Sequence, residues 1–479
     1  MIASCAPKSP PTTPGAASLS ADVPVRPEEL PEPSPLEFDP PTPFTTTLSN
    51  GIKLYILENH ELPLVNIDVI VANGSRAESP EEFGTAGFTA DIMRRGGGQR
   101  FTGDALDDTL DFLGANISVG MSVEAATANL NVLTEHLGVG LEIFADVLIN
   151  PVFPQDKIEE LKRIRSEQIR RRDENPAEIS RRKFRQVVYG NENPWARQLE
   201  LVDIERITRE DLREFHDVWF RPNITAMAIS GDVDRSEIIT KLESAFGDWQ
   251  QRPVTEIELP PVVPGMTKGV YIYPKDVSQA AIRLGSTGME RHSPDQYAVE
   301  VLNRIFGAGT FTSRLGTEVR SNRGLAYYVY GTIFSDPDPR QGMLIALAGT
   351  RVDRAHETIE VMQDIIDQMD TAPITDEELT SSKDQIIQSF VFEYASPAKI
   401  VGQKMWMDYL GYPADYLDTY IDRIQNVTRE DVYAAAQKYL NPQDLRILVV
   451  GPPEQLRESL ADFGPVTVLP TDDEVAAMQ

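Results

Sequence analysis

Cysteine is almost absent from this 479-residue chain. Cys5 is the single one, so no internal disulfide can form, and cysteine pairing gives no information on the redox compartment. Long apolar runs are missing too: none approaches the ~18 residues that cross a bilayer, so no segment of the given chain reads as transmembrane. Histidine is scarce. His60, His136, His216, His292 and His356 are never three or four residues apart, so no helix face offers two imidazoles to a metal. Each reads as a surface or boundary histidine without a chemical role. Basic residues are in the minority, 45 against 74 acidic, and the resulting charge of −29 repels phosphate backbones, which argues against nucleic acid as a partner. The glycine clusters Gly96-Gly97-Gly98 and Gly307-Ala308-Gly309 lack the Gly-Lys-Ser/Thr of a phosphate loop and read as helix-capping turns. No Gly-x-Ser-x-Gly elbow occurs.

What remains is a globular composition, 41% hydrophobic and 8% aromatic, on a length that suggests roughly two to four structural units. The first 43 residues are an exception. They are rich in Pro, Ser, Thr and Glu and cannot bury enough apolar surface to fold. They open with Ile2-Ala3-Ser4-Cys5, which looks like the end of a bacterial lipoprotein signal, although no apolar stretch stands upstream. Two readings stay open: a lipid-modified Cys5 on a tether, with a periplasmic location, or a chance match in a cytoplasmic protein.

A repeat organises the body. Ile204–Gly231 carries I-E-R-I-T-R-E-D-L, then F-R-P-N and an apolar run; Ile424–Gly451 carries I-Q-N-V-T-R-E-D-V, then L-N-P-Q and an apolar run. Thr208/Thr428, Pro222/Pro442 and Gly231/Gly451 share an offset of 220. Each Thr, with an Asp three residues on, predicts a capped helix that stops at the Pro, followed by a buried strand over 225–230 or 445–450. Asn50-Gly51 predicts a hairpin between 44–48 and 53–58. Alternation predicts a strand over 65–71, and apolar periodicity predicts helices over 85–95, 104–113, 137–149, 156–172 and 177–188, with paired strands within 116–132. The second half repeats the scheme: strands near 269–273, 280–286, 326–334 and 342–350, and helices near 294–306, 354–369 and 376–390. Prolines 253, 260, 261 and 264 mark a linker. The expected fold is α+β: two homologous lobes, each an antiparallel sheet packed against helices. The expected segments are a tether (1–43), a first lobe (44–251), a linker (252–266), a second lobe (267–468) and a tail (469–479).

Asn50-Gly51-Ile52-Lys53-Leu54, the strand to Val71 and Gly74-Ser75-Arg76-Ala77-Glu78 resemble the opening of pitrilysin-type zinc peptidases such as insulysin and mitochondrial processing peptidase. In that family the next helix carries H-x-x-E-H, two zinc ligands and a glutamate base. The resemblance places Gly87, Ala90 and Asp91 at those three positions. It places the third ligand, a downstream glutamate, at Gln168, or at Glu167 with a one-residue slip. Both histidines and the base are therefore missing. Farther on, Ser313-Arg314-Leu315 through Arg320, and Arg323-Gly324-Leu325-Ala326-Tyr327, are similar to the family's C-lobe signature, with an Arg and a Tyr seven apart. A guanidinium can hold a substrate carbonyl or carboxylate, and a phenol can donate to a developing oxyanion.

The resemblance, which covers about Phe44 to Pro465, thus implies a subunit that holds no metal itself. It implies a heterodimer with a zinc-bearing paralogue, to whose site Arg320 and Tyr327 would be contributed, and an unfolded peptide as substrate. The alternatives are a catalytically inert scaffold and a homodimeric peptide-binding module. Contact with a membrane is expected only through a lipid on Cys5.

Overall fold

The computed structural model describes residues 39–475 apart from 256, 264, 337, 370 and 473. Cys5 and the tether up to residue 38 lie outside the described residues. Among the described residues no helix is long and apolar enough to cross a membrane.

The first half runs β1 (Phe44–Thr47), β2 (Lys53–Glu58), β3 (Leu64–Val71), α1 (Thr85–Gly96), α2 (Gly103–Leu113), β4 (Asn116–Met121), β5 (Ala126–Leu133), α3 (Leu137–Ile149), α4 (Gln155–Arg171), α5 (Pro176–Tyr189), α6 (Leu201–Arg206), α7 (Arg209–Trp219), β6 (Thr225–Gly231) and α8 (Arg235–Phe246). The second runs β7 (Gly269–Pro274), β8 (Gln279–Thr287), α9 (Gln296–Asn303), β9 (Ala326–Phe334), β10 (Met343–Arg351), α10 (Ala355–Gln368), α11 (Asp376–Glu393), α12 (Pro397–Leu410), α13 (Tyr416–Asn426), α14 (Arg429–Tyr439), β11 (Arg446–Gly451), α15 (Pro453–Leu456) and β12 (Val466–Val468). The two sheets have six strands each, ordered β1-β2-β6-β3-β5-β4 and β12-β7-β11-β8-β10-β9. Apart from the outermost strands β1 and β12, the order is the same in both, so this is an α+β fold of two repeated lobes. Pairing is antiparallel except for β2–β6, β7–β11 and β12–β7. Those parallel pairs are the ones closed by long connections, as parallel neighbours require.

The repeat has the local chemistry that its sequence implies. The Thr208 and Thr428 hydroxyls accept from the Asp211 and Asp431 amides, and each aspartate accepts in return from its threonine's own amide, at 2.7 and 2.9 Å. These boxes start α7 and α14, and short turns at Pro222 and Pro442 separate the helices from β6 and β11. The second glycine cluster differs from expectation. Gly307 and Ala308 lie inside a π-helical turn over Arg304–Ala308 that prolongs α9, where a Cβ on Gly307 would fall 2.4 Å from the Gly331 backbone. Close approach to β9, rather than capping, requires that glycine. His216 is also no boundary residue. It faces the core from amphipathic α7, stacks on Phe220 and bonds the Leu148 carbonyl at 2.8 Å, and burial pushes its pKa down to about 4.

One face of the first sheet is covered by the helices of its own half: Leu54, Ile56, Ile67 and Val69 pack with Phe88 and Ile92 of α1 and Phe144 of α3. The other face, carrying Tyr55, Ile70 and Ala228, is covered by Val401 and Met405 of α12, from the second half. The second sheet is treated reciprocally. Its Tyr271, Ala281, Leu448 and Val450 lie under Ile179, Phe184 and Val187 of α5, from the first half. Helices α5 and α12 are equivalents in the repeat. Asn175-Pro176-Ala177 and Ser396-Pro397-Ala398 both begin with a side-chain N-cap followed by Pro, 221 residues apart. Each half therefore supplies the helix that the other half needs.

The C-terminal segment is tied to this exchange. The Asp472 carboxylate meets Arg172 at 2.6 Å, Arg182 at 2.9 Å and Lys183 at 2.6 Å, all partly or fully buried. Burial alone would raise the Asp472 pKa, but the hydrogen bond and charge of Lys183, with the two guanidinia, hold it below the usual carboxylate range. Without the carboxylate Arg172 still pairs with Glu200 and Arg182 with Asp173, but Lys183 loses its acid, so Asp472→Ala is expected to destabilise the chain by about 1–3 kcal/mol in urea melts at pH 7. Because the native pKa is depressed, the contribution is present above the unfolded carboxylate value and is lost as pH falls through the native one; Asp472→Ala and wild type should converge in acid.

Candidate functional site

The segment Gly74-Ser75-Arg76-Ala77-Glu78 connects β3 to α1 and fixes how α1 starts. A Cβ on Gly74 would lie 2.2 Å from the Val123 carbonyl oxygen, so the chain passes there only as glycine. Glu78 is buried, and its Oε1 accepts the Ala86 amide at 2.6 Å, satisfying a free donor in the first turn of α1. Its Oε2 is buried without a hydrogen-bond partner. Burial pushes the Glu78 pKa up to about 7, although the Ala86 and Gly84 amides favour the ionised form.

On α1 the three positions that the resemblance assigns to the metal motif hold Gly87, Ala90 and Asp91, and α4 packs alongside with Gln168. Asp91 and Gln168 do converge, but on a side chain. Arg165 donates through Nη2 to Asp91 Oδ2 at 2.5 Å and through Nη1 to Gln168 Oε1 at 3.0 Å. Glu167 points elsewhere and pairs with Arg170 at 3.8 Å. Among the described residues no three His, Cys, Asp or Glu side chains gather as a metal set. The donors at the family positions are one carboxylate and one amide oxygen, both bonded to a guanidinium that is itself a cation. These residues do not fit a zinc ion. Arg165 is the site residue that sequence reading missed, because nothing in the spacing says which of four neighbouring arginines turns toward α1.

Arg320 and Tyr327 are brought together, and both are presented by irregular backbone. Arg320 lies on a π-helical turn, Gly316–Asn322. Tyr327 is the extra residue of a β-bulge: Ala326 pairs with Thr350 and Tyr328 with Gly349, leaving Tyr327 unpaired on edge strand β9. Tyr327 is 82% exposed and Phe311 64%, and the Arg320 guanidinium carbon lies 4.6 Å from the Phe311 ring centre and 5.7 Å from that of Tyr327. Among the described residues Arg320 has no carboxylate partner, so its donors are free.

A cavity of about 510 Å³ opens in the first lobe between α12 and the β4 edge, lined by Asp68, Ser118, Asn129, Lys399, Gln403 and Trp406 among others. Asp68 accepts from Asn66 and Asn129, each at 2.7 Å. Burial raises its pKa and the two amide donors oppose that rise.

Two outcomes follow. Glu78 has a native pKa above its ordinary 4.5, so it binds a proton more tightly folded than unfolded, and its contribution to stability falls as pH rises from about 4.5 to about 7. Glu78→Gln should flatten that slope, by up to about 3 kcal/mol between pH 4 and 8 in thermal or urea melts. Gly87→His, Ala90→Glu, Asp91→His and Gln168→Glu, combined, should still bind zinc poorly. Adding Arg165→Ala should tighten binding by at least about tenfold in calorimetric titration, because like charges a few Å apart repel strongly in a partly buried site.

Comparison with known proteins gives the family. Residues 54–199 match the family described as "Insulinase (Peptidase family M16)", and residues 206–386 match "Peptidase M16 inactive domain". The uncharacterized zinc protease YmxG of Bacillus subtilis is 25% identical over 409 residues, covering 85% of this chain and 97% of that protein. A crystal structure described as a peptidase M16 inactive domain from Pseudomonas fluorescens is 28% identical, with TM-score 0.78, over 86% of this chain and 98% of that one. The periplasmic protease PqqL of Escherichia coli shares the fold at 14% identity, with TM-score 0.73, over 87% of this chain and 46% of that one. The chain belongs to peptidase family M16, the insulinase family.

Proposed function

We propose that this chain is the non-metal subunit of a two-component zinc peptidase, and that it contributes Arg320 and Tyr327 to the site of a paralogue carrying H-x-x-E-H. The observation that carries the reading is the contrast between the two halves. At the positions that the resemblance assigns to the metal the first lobe holds an internal Asp91–Arg165–Gln168 bridge, whereas in the second lobe the half-buried Arg320 stands beside the exposed Tyr327 and, among the described residues, has no acidic partner. An idle arginine on an acidic protein would be expected to pair with one of its 74 carboxylates.

In the complex the Arg320 guanidinium would hold a substrate carbonyl or carboxylate through two fixed donors, and the Tyr327 hydroxyl would donate to the oxygen on which charge develops. The polar cavity beside β4 supports binding of an extended peptide, whose backbone can add to a free sheet edge while its side chains reach alternate sites. The location that goes with this reading is the bacterial periplasm, with a lipid on Cys5.

The test is reconstitution. The chain alone with added zinc should cleave no unstructured peptide, and mixed with its metal-bearing partner it should. Arg320→Ala or Tyr327→Phe should each lower kcat by about 10²-fold with a smaller change in KM, as loss of one transition-state donor does. Undiminished turnover in both variants would point to an inert scaffold. Chelator-sensitive cleavage by the isolated chain would defeat the reading outright.

A further inference from the structure

The repeat superimposes two sheet surfaces of opposite chemistry. In each lobe the exchanged helix leaves part of its sheet uncovered toward the last strand, β4 in the first and β9 in the second. Strand registers make Asp68 and Arg283 equivalent: Asp68 pairs with Ala228 of β6, and Arg283 with Leu448 of β11, positions 220 apart. On the exchanged helices Arg181 and Arg185 of α5 occupy the places of Gly402 and Trp406 of α12, at the offset of 221 that relates their Pro starts. The carboxylate and tryptophan of the first lobe's cavity therefore give way to three arginines on the equivalent surface of the second.

Those arginines are poorly compensated. Arg283 makes one side-chain bond, to Ser180 Oγ at 2.9 Å, and among the described residues neither Arg283 nor Arg185 forms a salt bridge. The carboxylates whose charge reaches them are already committed, Glu178 to Arg181 at 2.6 Å and Asp336 to Arg291 at 2.9 Å. Burial, reinforced by the charge of Arg181 and Arg185, pushes the Arg283 pKa down to about 10, which leaves it charged at neutral pH. The unbonded nitrogens of Arg185 and Arg283 are not sealed from solvent. The same sheet face continues through Leu347 to Tyr328 and Tyr330, which are 39% and 42% exposed. A Cβ on Gly349 would fall 2.3 Å from the Tyr328 ring, so the glycine makes room for that ring to lie across the sheet. On a chain of charge −29, partly buried guanidinia with no acid of their own need an explanation.

We propose that the surface between α5 and the β9 edge is a carboxylate-binding site, in which Arg185 and Arg283 grip an acidic group of an extended peptide and Tyr328 and Tyr330 take the flanking residues. This deepens the peptide-binding reading above and rests on it. Guanidinium suits the ligand because its planar donors match a carboxylate bidentately, and tyrosine offers a rigid amphipathic surface for adjoining side chains. The carboxylate has two sources, an Asp or Glu side chain or the peptide's free C-terminus, and both present the same planar anion.

Fluorescence anisotropy on the full chain alone separates the outcomes. The probes are labelled unstructured peptides of equal length: one with central Glu residues, one with Gln in their place, each with a free or an amidated C-terminus. The wild-type chain should bind a carboxylate-bearing peptide at least about tenfold more tightly than the amidated Gln peptide. Whichever substitution abolishes the preference identifies the source. Arg185→Gln and Arg283→Gln should each remove most of it while leaving the amidated Gln peptide unaffected. Arg185→Gln, at a partly buried position on the helix surface, guards against misfolding at Arg283, and matched circular dichroism and melting confirm both. Equal affinity for all four peptides, or a preference that survives both substitutions, overturns the site. The two-component reading would stand in that case, because reconstituted turnover tests it separately. Absence of binding by any peptide overturns the site as well.

Discussion

A six-stranded sheet has two faces to bury, and each half of this chain covers only one of its own. The exchange of α5 and α12 resolves that shortage. Phe184 and Val187 seal the second sheet and Val401 and Met405 the first, with each of these four at most 1% exposed. Buried side chains of this size contribute roughly 1.5–3 kcal/mol each relative to exposure, so neither half can keep its sheet dry alone. Folding of the two halves is thereby coupled. The polar ties follow the same path: Asp472 gathers Arg172, Arg182 and Lys183 at the end of α4 and on α5, and Tyr55 donates to Asp408 of α12 at 2.7 Å.

The exchange also explains where ligand surfaces can exist. A single helix is narrower than a six-stranded sheet, so the strands farthest from it stay open on that face. In the first lobe this leaves the cavity floored by Asp68 and Asn129, and in the second the surface around Arg283. Two-fold repetition of the fold without repetition of these side chains gives one frame with two electrostatic characters. Function in such a molecule is decided by a few side chains, and the frame itself carries little information about it.

Much of the frame was legible because its signals are local. Thr208 and Thr428 with their aspartates, the prolines that follow, and the glycines that close β6 and β11 are each set by backbone chemistry within a few residues. Helix α12 had a comparable mark in Ser396-Pro397-Ala398, echoing Asn175-Pro176-Ala177, but its Lys404 and Asp408 interrupt the apolar face. Asp408 serves a contact with the opposite half, meeting Lys53 at 3.0 Å from 355 residues away, and Lys404 pairs with it at 3.4 Å along the same helix. At the positions that the resemblance assigns to the metal, the lack of histidine could be read directly from the sequence. The bridge that Arg165 makes there between Asp91 and Gln168 could not, because a guanidinium's choice of partner depends on how α1 and α4 are packed.

The same limit applies with more force to Arg320 and Tyr327. Side chains in a strand alternate between faces with a period of two, so a regular β9 would set Tyr327 opposite Tyr328 and in line with Val329 and Gly331. Val329 and Gly331 are buried, and a regular Tyr327 would have been directed with them into the core. The bulge at Gly349/Thr350 breaks the alternation and leaves Tyr327 exposed. The wider π-helical turn likewise sets Arg320 against the outward rings of Phe311 and Tyr327. Both departures give up regular backbone hydrogen bonding to aim one side chain each, and they aim at the same place. Irregular backbone converging on a cation and an exposed phenol is hard to account for by packing alone, since packing would be better served by the regular forms.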